Sequence, residues 1–285
     1  RYLPANLNSP NDALTVRDRF WDQPSALPRT AWHFVIDGNN PPKVHLDTGF
    51  EPGRIYEMTY QASGATVAGA GLAAIRDAAS AFRYRTDLPI RGRSAYVFGA
   101  SESGRFLREF LYSGFNADEH DRRAFDAVWA HIAGAARGSF NERFAIPTHG
   151  NAFIATRFPF TDLDQRDIDG TQDGIEKTYR PEQRPKIFYT NTSVEYWGGG
   201  RAAALTHTTI NGKQDAKLPD NVRIYLLSGT QHGEAAFPPV ITNGQQLNNP
   251  TPQANVMRAL LRGLHGWVTN GSRPPDSQYP RLNDR

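Results

Sequence analysis

The strongest chemical signal in the sequence is a serine that stands between a predicted strand and a predicted helix. Residues 94–111 read S-A-Y-V-F-G-A-S-E-S-G-R-F-L-R-E-F-L, and Ser101 occupies the turn between these two elements. A serine in such a turn lies at the N-terminus of the helix, where the helix dipole and the backbone N–H groups stabilise negative charge. The pattern predicts a nucleophile; the alternative is an ordinary serine that caps the helix.

The residues around the turn meet its steric demands. A turn this sharp needs small residues two positions before and two positions after the serine, and these are Gly99 and Ser103. The usual pattern ends in Gly, where this sequence has Ser103, and Gly104 then adds room. We therefore expect the backbone to fold tightly on both sides of Ser101.

A serine nucleophile needs two N–H donors for the oxyanion that forms on the substrate. The first predicted donor is the backbone N–H of Glu102, whose carboxylate must then point away from the site. The second donor is expected in the loop after an earlier strand. The sequence R-I-Y-E-M-T-Y at 54–60 is followed by Gln61 and Ala62, and the backbone N–H of one of these two residues is the predicted donor.

An acid and a histidine follow Ser101 in the order that a catalytic triad of this kind requires. Glu195 stands just after the strand-like stretch K-I-F-Y-T, and His232 just after V-R-I-Y-L-L. We predict that His232 takes the proton of Ser101 and that Glu195 holds the histidine tautomer. Asp215 and the acids of 162–173 are the alternatives to Glu195, and a surface histidine is the alternative for His232.

Other residues could shape a substrate pocket or hold an ion. Trp197, Tyr196 and Phe140 are candidates to line an acyl or alcohol pocket, with plain packing as the alternative. His131 is expected to be a core histidine, and His207 has no evident partner in the sequence. The acids of 162–173 lack the EF-hand spacing, so a solvated loop is favoured over a calcium site and we expect no metal.

Composition excludes several classes of protein. Among 285 residues there is no Cys, which rules out disulfide scaffolds, thiol enzymes and iron–sulfur proteins. No apolar stretch has the ~18–20 residues of a membrane-spanning helix, so no membrane insertion is expected. The net charge is only +3, and the basic residues form no stripe along the sequence, so we expect no nucleic-acid partner. The sequence G-A-G-L at 69–72 lacks the dinucleotide spacing and no phosphate-binding loop is present, so we also expect no cofactor.

The elements that must position these residues alternate along the chain. Strand patterns separated by helical patterns predict a mainly parallel sheet flanked by helices. We expect one α/β domain over residues 1–285, with an irregular, strand-rich lead-in at 1–53 and a lid-like insertion at 138–185. The sequence does not indicate an oligomeric state.

Five long stretches carry a family resemblance. They read F-E-P-G-R-I-Y-E, G-A-S-E-S-G-R-F-L-R-E-F-L-Y-S-G-F-N-A-D-E, H-I-A-G-A-A-R-G-S-F-N-E-R-F, P-K-I-F-Y-T-N-T-S-V-E-Y-W-G and S-G-T-Q-H-G. Over nearly the whole chain, the sequence resembles a bacterial α/β-hydrolase-domain family of largely uncharacterised members. The resemblance implies the α/β-hydrolase fold and serine esterase-like chemistry, with the family's motifs falling on Ser101, Glu195 and His232.

The resemblance carries two further expectations. Members of that family have an additional region before R-Y-L-P, so we expect the chain to be the catalytic portion of a longer protein, with a secreted or periplasmic location favoured over a cytoplasmic one. A more distant likeness is to glucuronoyl esterases, which have Arg directly after the nucleophile. Glu102 stands there instead, which argues against a uronic-acid ester as substrate.

Three functions fit the predicted site. The first is a serine hydrolase that cleaves small-molecule or carbohydrate and polymer esters through an acyl-enzyme on Ser101. The second is an acyltransferase that uses the same three residues. The third is a binding protein that keeps the fold without the activity.

Overall fold

A computed structural model describes residues 3–19, 21–38, 42–64, 69–140, 157–198, 201–242 and 244–282. The chain divides into two compact units, residues 1–67 and residues 68–285. No helix in the described part of the chain has the length and apolar composition needed to cross a membrane.

The first unit consists of short antiparallel strands. They are β1 (Leu3–Pro4), β2 (Ala13–Arg17), β3 (Ser25–Leu27), β4 (Trp32–Val35), β5 (Lys43–Leu46), β6 (Ile55–Thr59) and β7 (Ala62–Ser63). β2 lies between β3 and β6, while β4 pairs with β5 and β1 with β7. Alternate residues of β2 and β4 point inward, so the core of this unit is small and consists of Leu14, Trp32, Phe34 and Leu46.

The predicted lead-in ends earlier than this unit does. The sequence pattern puts the boundary at residue 53, before the strand β6. In the structure β6 pairs with β2, with Thr15 opposite Glu57, and the following strand β7 pairs with β1, so both strands are held by strands of the lead-in. The unit therefore extends to residue 67.

The second unit is built on a parallel sheet with helices beside it. Its elements are α1 (Ala70–Tyr84), β8 (Tyr96–Ala100), α2 (Glu102–Tyr112), β9 (Ala127–His131), β10 (Gln165–Arg166), β11 (Gln172–Asp173), β12 (Lys186–Thr192), α3 (Ser193–Trp197), β13 (Val222–Leu227) and α4 (Ala254–Asn270). The four long strands lie side by side in the order β8, β9, β12, β13, and all three pairings are parallel. Because parallel strands end at the same edge, the segments that follow β8, β12 and β13 meet there.

The two faces of this sheet have different cores. Side chains alternate along β9, so that Val128 and Ala130 face α1 and α2, whereas Trp129 faces α4. Leu107, Phe110 and Leu111 of α2 pack on the first face, at the spacing expected of one helical stripe. Leu260, Leu264 and Trp267 of α4 cover the second face. The central strands are buried because helices cover both faces of the sheet.

Helix α1 buries less of its predicted apolar face than the sequence indicates. The expected stripe is Leu72, Ile75, Ala79 and Phe82, of which Leu72 and Ala79 are buried. Ile75 and Phe82 are exposed, because the helix contacts the α2 side of the core along a narrow line only. Helix α4 ends at Asn270, and the Gly271 that caps it has the left-handed conformation that glycine tolerates.

The described part of the predicted insertion is anchored in the second unit. Residues 141–156 of the predicted lid lie outside the described residues. Ile175 and Tyr179 are buried in the same core as α2, and the Ile175 N–H donates to the carbonyl of Thr161 at 3.0 Å. The segment from 157 to 185 is thus held to the core of the second unit by buried side chains, and the lid-like role of the insertion stays a prediction.

Candidate active site

Ser101 occupies a strained turn between β8 and α2. Its φ of 57° and ψ of −116° lie outside the regions that residues with side chains usually adopt, at a cost of roughly 1–3 kcal/mol. Two backbone hydrogen bonds hold it there: the Ser101 N–H donates to the carbonyl of His131 at 2.9 Å, and the Arg105 N–H donates to the carbonyl of Ser101 at 3.0 Å. The turn places the serine at the edge of the sheet where the strands end.

The turn requires glycine at positions 99 and 104. The sequence pattern predicted the small residues at positions 99 and 103. A Cβ on Gly99 would lie 2.5 Å from the carbonyl oxygen of Ser103. A Cβ on Gly104 would lie 2.9 Å from the Cβ of Ala133 and 3.0 Å from the carbonyl oxygen of His131. Ser103 is exposed, so its size is less restricted. The close approach after the serine falls on Gly104, and this is why the sequence tolerates serine where the usual pattern has glycine.

The structure brings His232 to Ser101. Its Nε2 lies 2.9 Å from the Ser101 Oγ. The loop that carries His232 follows β13, and two hydrogen bonds hold it just before the histidine: the Gly229 N–H donates to the Ser193 hydroxyl at 3.0 Å, and the Gln253 side chain donates to the carbonyl of Gln231 at 2.7 Å. The histidine is partly exposed, and substrate can therefore reach it from solvent.

Glu195 lies on the other side of the same imidazole. Its Oε1 is 2.6 Å from the His232 Nδ1, and its side chain is fully buried. The second oxygen, Oε2, accepts hydrogen bonds from the backbone N–H and the hydroxyl of Thr192. These bonds form a capping box at the start of α3, in which Thr192 and Glu195 satisfy each other's polar groups. A single local motif therefore both begins the helix and aims the carboxylate.

The three side chains form one continuous hydrogen-bonded path. With Glu195 accepting at Nδ1, the imidazole carries its proton on that nitrogen, and Nε2 is left to accept the proton of Ser101. A buried carboxylate beside Nδ1 also stabilises the imidazolium that forms after proton transfer. The arrangement has the geometry of a nucleophile, a general base and an orienting acid.

The position of the oxyanion donors is partly defined. Glu102 is the first residue of α2, so its N–H points out of the N-terminal end of the helix. Its carboxylate extends along the helix instead, with Oε2 3.5 Å from the Nη1 of Arg105. In the first unit, the Gln61 N–H donates to Asp12 at 3.3 Å, and Ala62 lies in β7. The second donor stays a prediction.

His131 is a buried neighbour of this path. Its Nδ1 lies 2.8 Å from the hydroxyl of Thr190, and its ring stacks on Phe98. Burial lowers the pKa of His131, although the charge of Glu195 opposes the shift. A neutral His131 adds no positive charge beside His232. It has the satisfied core environment that the sequence suggested.

Arg201 is a site residue that the sequence did not reveal. Its Nη2 lies 3.4 Å from the Ser101 Oγ. It follows the Y-W-G-G-G stretch, which has neither a helical nor a strand-like period, and no motif marks it. A run of glycines just after a predicted acid was the only available signal of a loop close to the site.

The three predicted pocket residues have different surroundings. Tyr196 is buried, its hydroxyl lies 2.9 Å from the His207 Nε2, and its ring stacks on that imidazole. These contacts give Tyr196 the packing role, and they supply the partner that the sequence did not show for His207. Trp197 is exposed. Phe140 packs edge-on against Phe106 and lines an apolar groove beside the nucleophile turn.

The acids of 162–173 do not cluster as metal ligands. Among the residues that the structure describes, no group of three or more His, Asp or Glu side chains is arranged to hold a metal ion. Asp162 is buried and accepts a hydrogen bond from the Tyr189 hydroxyl at 2.6 Å, while Asp169 caps its own turn through the Thr171 N–H. The acid that contacts His232 is Glu195 instead.

Comparison with known proteins identifies the family. No curated protein and no solved structure matches this chain. Residues 21–285 match the alpha/beta hydrolase domain, and the parallel sheet flanked by helices agrees with that fold, so the predicted fold class is confirmed. Membership indicates a hydrolase. The match spans nearly all of the sequence, and the chain therefore belongs to the alpha/beta hydrolase domain family.

Proposed function

We propose that this protein is a serine hydrolase that cleaves carboxylic esters through an acyl-enzyme on Ser101. The observation that carries the proposal is the continuous path from the Ser101 Oγ to the His232 Nε2 at 2.9 Å and from the His232 Nδ1 to Glu195 at 2.6 Å. An unstrained N-cap serine would need neither the positive φ nor a histidine aligned with its hydroxyl.

The reaction has two halves. In the first, His232 takes the Ser101 proton while Oγ attacks the ester carbonyl, and the resulting tetrahedral intermediate collapses when the imidazolium returns the proton to the leaving alcohol. In the second, His232 removes a proton from water as the water oxygen attacks the carbonyl of the acyl-enzyme, and the imidazolium then returns the proton to the Ser101 Oγ as the bond to the acyl group breaks and the acid is released. Glu195 stays ionised throughout and compensates the charge on the imidazole.

The surroundings of the turn favour an ester with an apolar portion. A groove of about 510 Å³ runs beside the turn and is lined by Phe98, Gly99, Phe106 and Phe140, together with residues of α1. Apolar side chains in such a groove bind hydrocarbon without competing for the polar groups of the triad. Both a small-molecule ester and an ester on a polymer fit this description.

The test is hydrolysis of 4-nitrophenyl acetate by the wild type, Ser101→Ala and His232→Ala. We expect each variant to lose at least about 10⁴-fold in kcat, with circular dichroism showing that both remain folded. Full activity in folded Ser101→Ala would overturn the proposal.

The same assay separates the two alternatives. Adding a dilute alcohol or amine tests for acyl transfer, because a transfer product that exceeds the hydrolysis product in water would identify an acyltransferase. A folded wild type without activity on any ester of a chain-length panel would instead identify a binding protein.

A further inference from the structure

Arg201 places a positive charge directly beside the nucleophile. Its Nη2 lies 3.4 Å from the Ser101 Oγ, and its Nη1 is buried without a hydrogen-bond partner among the described residues. Within the same part of the chain, no carboxylate lies within 4.0 Å of this guanidinium. A buried donor without an acceptor costs free energy, and a ligand that supplies the acceptor recovers it.

Backbone contacts fix the position of Arg201 in the fold. The Arg201 carbonyl accepts a hydrogen bond from the Ala135 N–H at 2.9 Å, and the Arg201 N–H donates to Gly198 at 3.2 Å. Gly134 has a φ of 72° and passes so close that a Cβ on it would lie 2.3 Å from the Arg201 carbonyl oxygen. The loop after β9 and the loop after α3 therefore lock together at this residue.

The other charges around the nucleophile are already matched. Glu195 is paired with His232, and the carboxylate of Glu102 lies 3.5 Å from Arg105. Burial lowers the pKa of Arg105; the charge of Glu102 opposes this shift, and the charges of Arg201 and Arg157 add to it. Arg201 is thus the cation beside this turn that has no acidic partner among the described side chains.

We infer that the substrate of this site is an ester that carries a carboxylate, and that Arg201 binds this carboxylate. The inference rests on the proposed ester hydrolysis at Ser101. A guanidinium is planar and matches a carboxylate with two parallel hydrogen bonds, so Nη1 and Nη2 would both be satisfied. Without substrate, Nη2 donates to the serine hydroxyl instead. An uncharged ester would leave the buried Nη1 without an acceptor.

The carboxylate could belong to the acyl part or to the alcohol part of the ester, and two matched pairs of substrates distinguish these sources. For the acyl part, 4-nitrophenyl hemiadipate is compared with 4-nitrophenyl hexanoate, which has the same number of acyl carbons. For the alcohol part, 4-acetoxybenzoate is compared with its methyl ester. Each comparison yields the ratio of kcat/KM for the anionic ester to that for the neutral ester.

We expect the wild type to favour the anionic ester in one of the two pairs, and Arg201→Gln to lower that ratio by about 10- to 100-fold. Arg201→Lys keeps the charge but loses the planar pair of donors, so its ratio should lie between those of the wild type and Arg201→Gln. Arg258→Gln, the same change on the exposed surface of α4, should leave the ratio of the wild type unaltered.

Three results would overturn the inference. One is a wild type that prefers the neutral ester in both pairs, which needs no folded variant to observe. Another is a folded Arg201→Gln that loses kcat/KM equally on both members of each pair, because that would make Arg201 a donor to the oxyanion. A wild type that hydrolyses none of the four esters would overturn the proposed function itself.

Discussion

At the scale of single residues, the proposed ester hydrolysis depends on how firmly the Glu195 carboxylate is held against His232. The two carboxylate oxygens have different partners, since Oε1 contacts the imidazole and Oε2 accepts from the backbone N–H and the hydroxyl of Thr192. The capping box that begins α3 is thus also the support of the acid. The sequence contains this signal as T-S-V-E, with Thr and Glu three residues apart.

Glu195→Gln should therefore retain the fold and lose activity. The amide has the shape of the carboxylate but cannot compensate the charge of the imidazolium, and it offers the wrong hydrogen-bonding pattern at Nδ1. We expect kcat to fall by about 10²- to 10⁴-fold. Thr192→Val removes the hydroxyl bond and keeps the backbone bond, so its expected loss is about 10-fold.

The measurement is kcat on 4-nitrophenyl acetate, with Glu119→Gln as the matched control on an exposed side chain. A Glu195→Gln variant with the kcat of the control would show that Glu195 has no part in the reaction, and Asp215 would then be the next acid to test.

At the same scale, there is a physical reason why some site residues could be predicted from the sequence and others could not. That Ser101, Glu195 and His232 lie close together could be predicted because each follows a strand, and parallel strands end at one edge of the sheet. Arg201 comes to the nucleophile through contacts between two loops, and loop–loop contacts leave no periodic pattern in a sequence. Tyr196 follows the acid directly, yet helical geometry turns its side chain toward His207.

At the scale of elements, the junction of β8 with α2 determines where the nucleophile lies. Gly104 lets the first turn of α2 touch the loop after β9, and Arg105 and Arg108 reach from the helix toward the same loop. Arg108 is fully buried, donates to the carbonyl of Ala135 at 3.0 Å and lies over the ring of Tyr189. Arginine therefore has a structural use here, which composition alone does not indicate.

Gly104→Ala tests this junction. The new methyl group would overlap Ala133 and two carbonyl oxygens, and the turn would have to open. We expect a loss of about 1–3 kcal/mol in the free energy of unfolding and a fall in kcat, because Ser101 would leave its alignment with His232. Urea denaturation and kcat are the measurements.

Ser103→Ala is the matched control, since Ser103 lies in the same helical turn and is exposed. Its free energy of unfolding should stay within about 0.5 kcal/mol of the wild type. Equal losses in both variants would contradict the assignment of the close contact to Gly104.

At the scale of the whole molecule, one buried acidic pair links stability to pH. Glu176 and Asp162 are both buried, and the Glu176 N–H donates to the Asp162 carbonyl at 3.1 Å. Burial, followed by the charge of Asp162, raises the pKa of Glu176 to about 8, although Asn221, Arg184 and Lys186 oppose the shift. The folded protein therefore holds a proton on Glu176 that the unfolded chain releases.

The sign of the effect follows from this difference. Below the ordinary glutamate pKa of 4.5, both states are protonated and the contribution of this group to the stability of the fold is complete. As the pH rises from there through about 8, the unfolded chain ionises first and the free energy of unfolding decreases. Glu176→Gln should remove part of this loss, so the Tm of the variant, measured relative to the wild type, should rise between pH 4 and pH 8.

The measurement is Tm against pH for the wild type, Glu176→Gln and the exposed control Glu119→Gln. Parallel curves for all three proteins would contradict a proton on buried Glu176.

The overall architecture was easier to predict from the sequence than the boundary between the two units. Alternating strand and helix patterns predicted the parallel sheet, because each strand is apolar and each helix has one apolar face. The end of the first unit could not be predicted in this way, since β6 joins β2 across some forty residues of chain through backbone pairing. The anchoring of the segment 157–185 could not be predicted either, because polar residues that are buried in the structure have the sequence pattern of a solvated loop.

Covalent labelling of the active serine is the decisive measurement. The wild type is treated with a fluorophosphonate, and the modified residue is identified by mass spectrometry of the digested protein. We predict a single modification on Ser101, absent in folded Ser101→Ala and at least about 10²-fold slower in folded His232→Ala. A folded wild type that is not labelled, or is labelled at another residue, would contradict the assignment of Ser101 as an activated nucleophile.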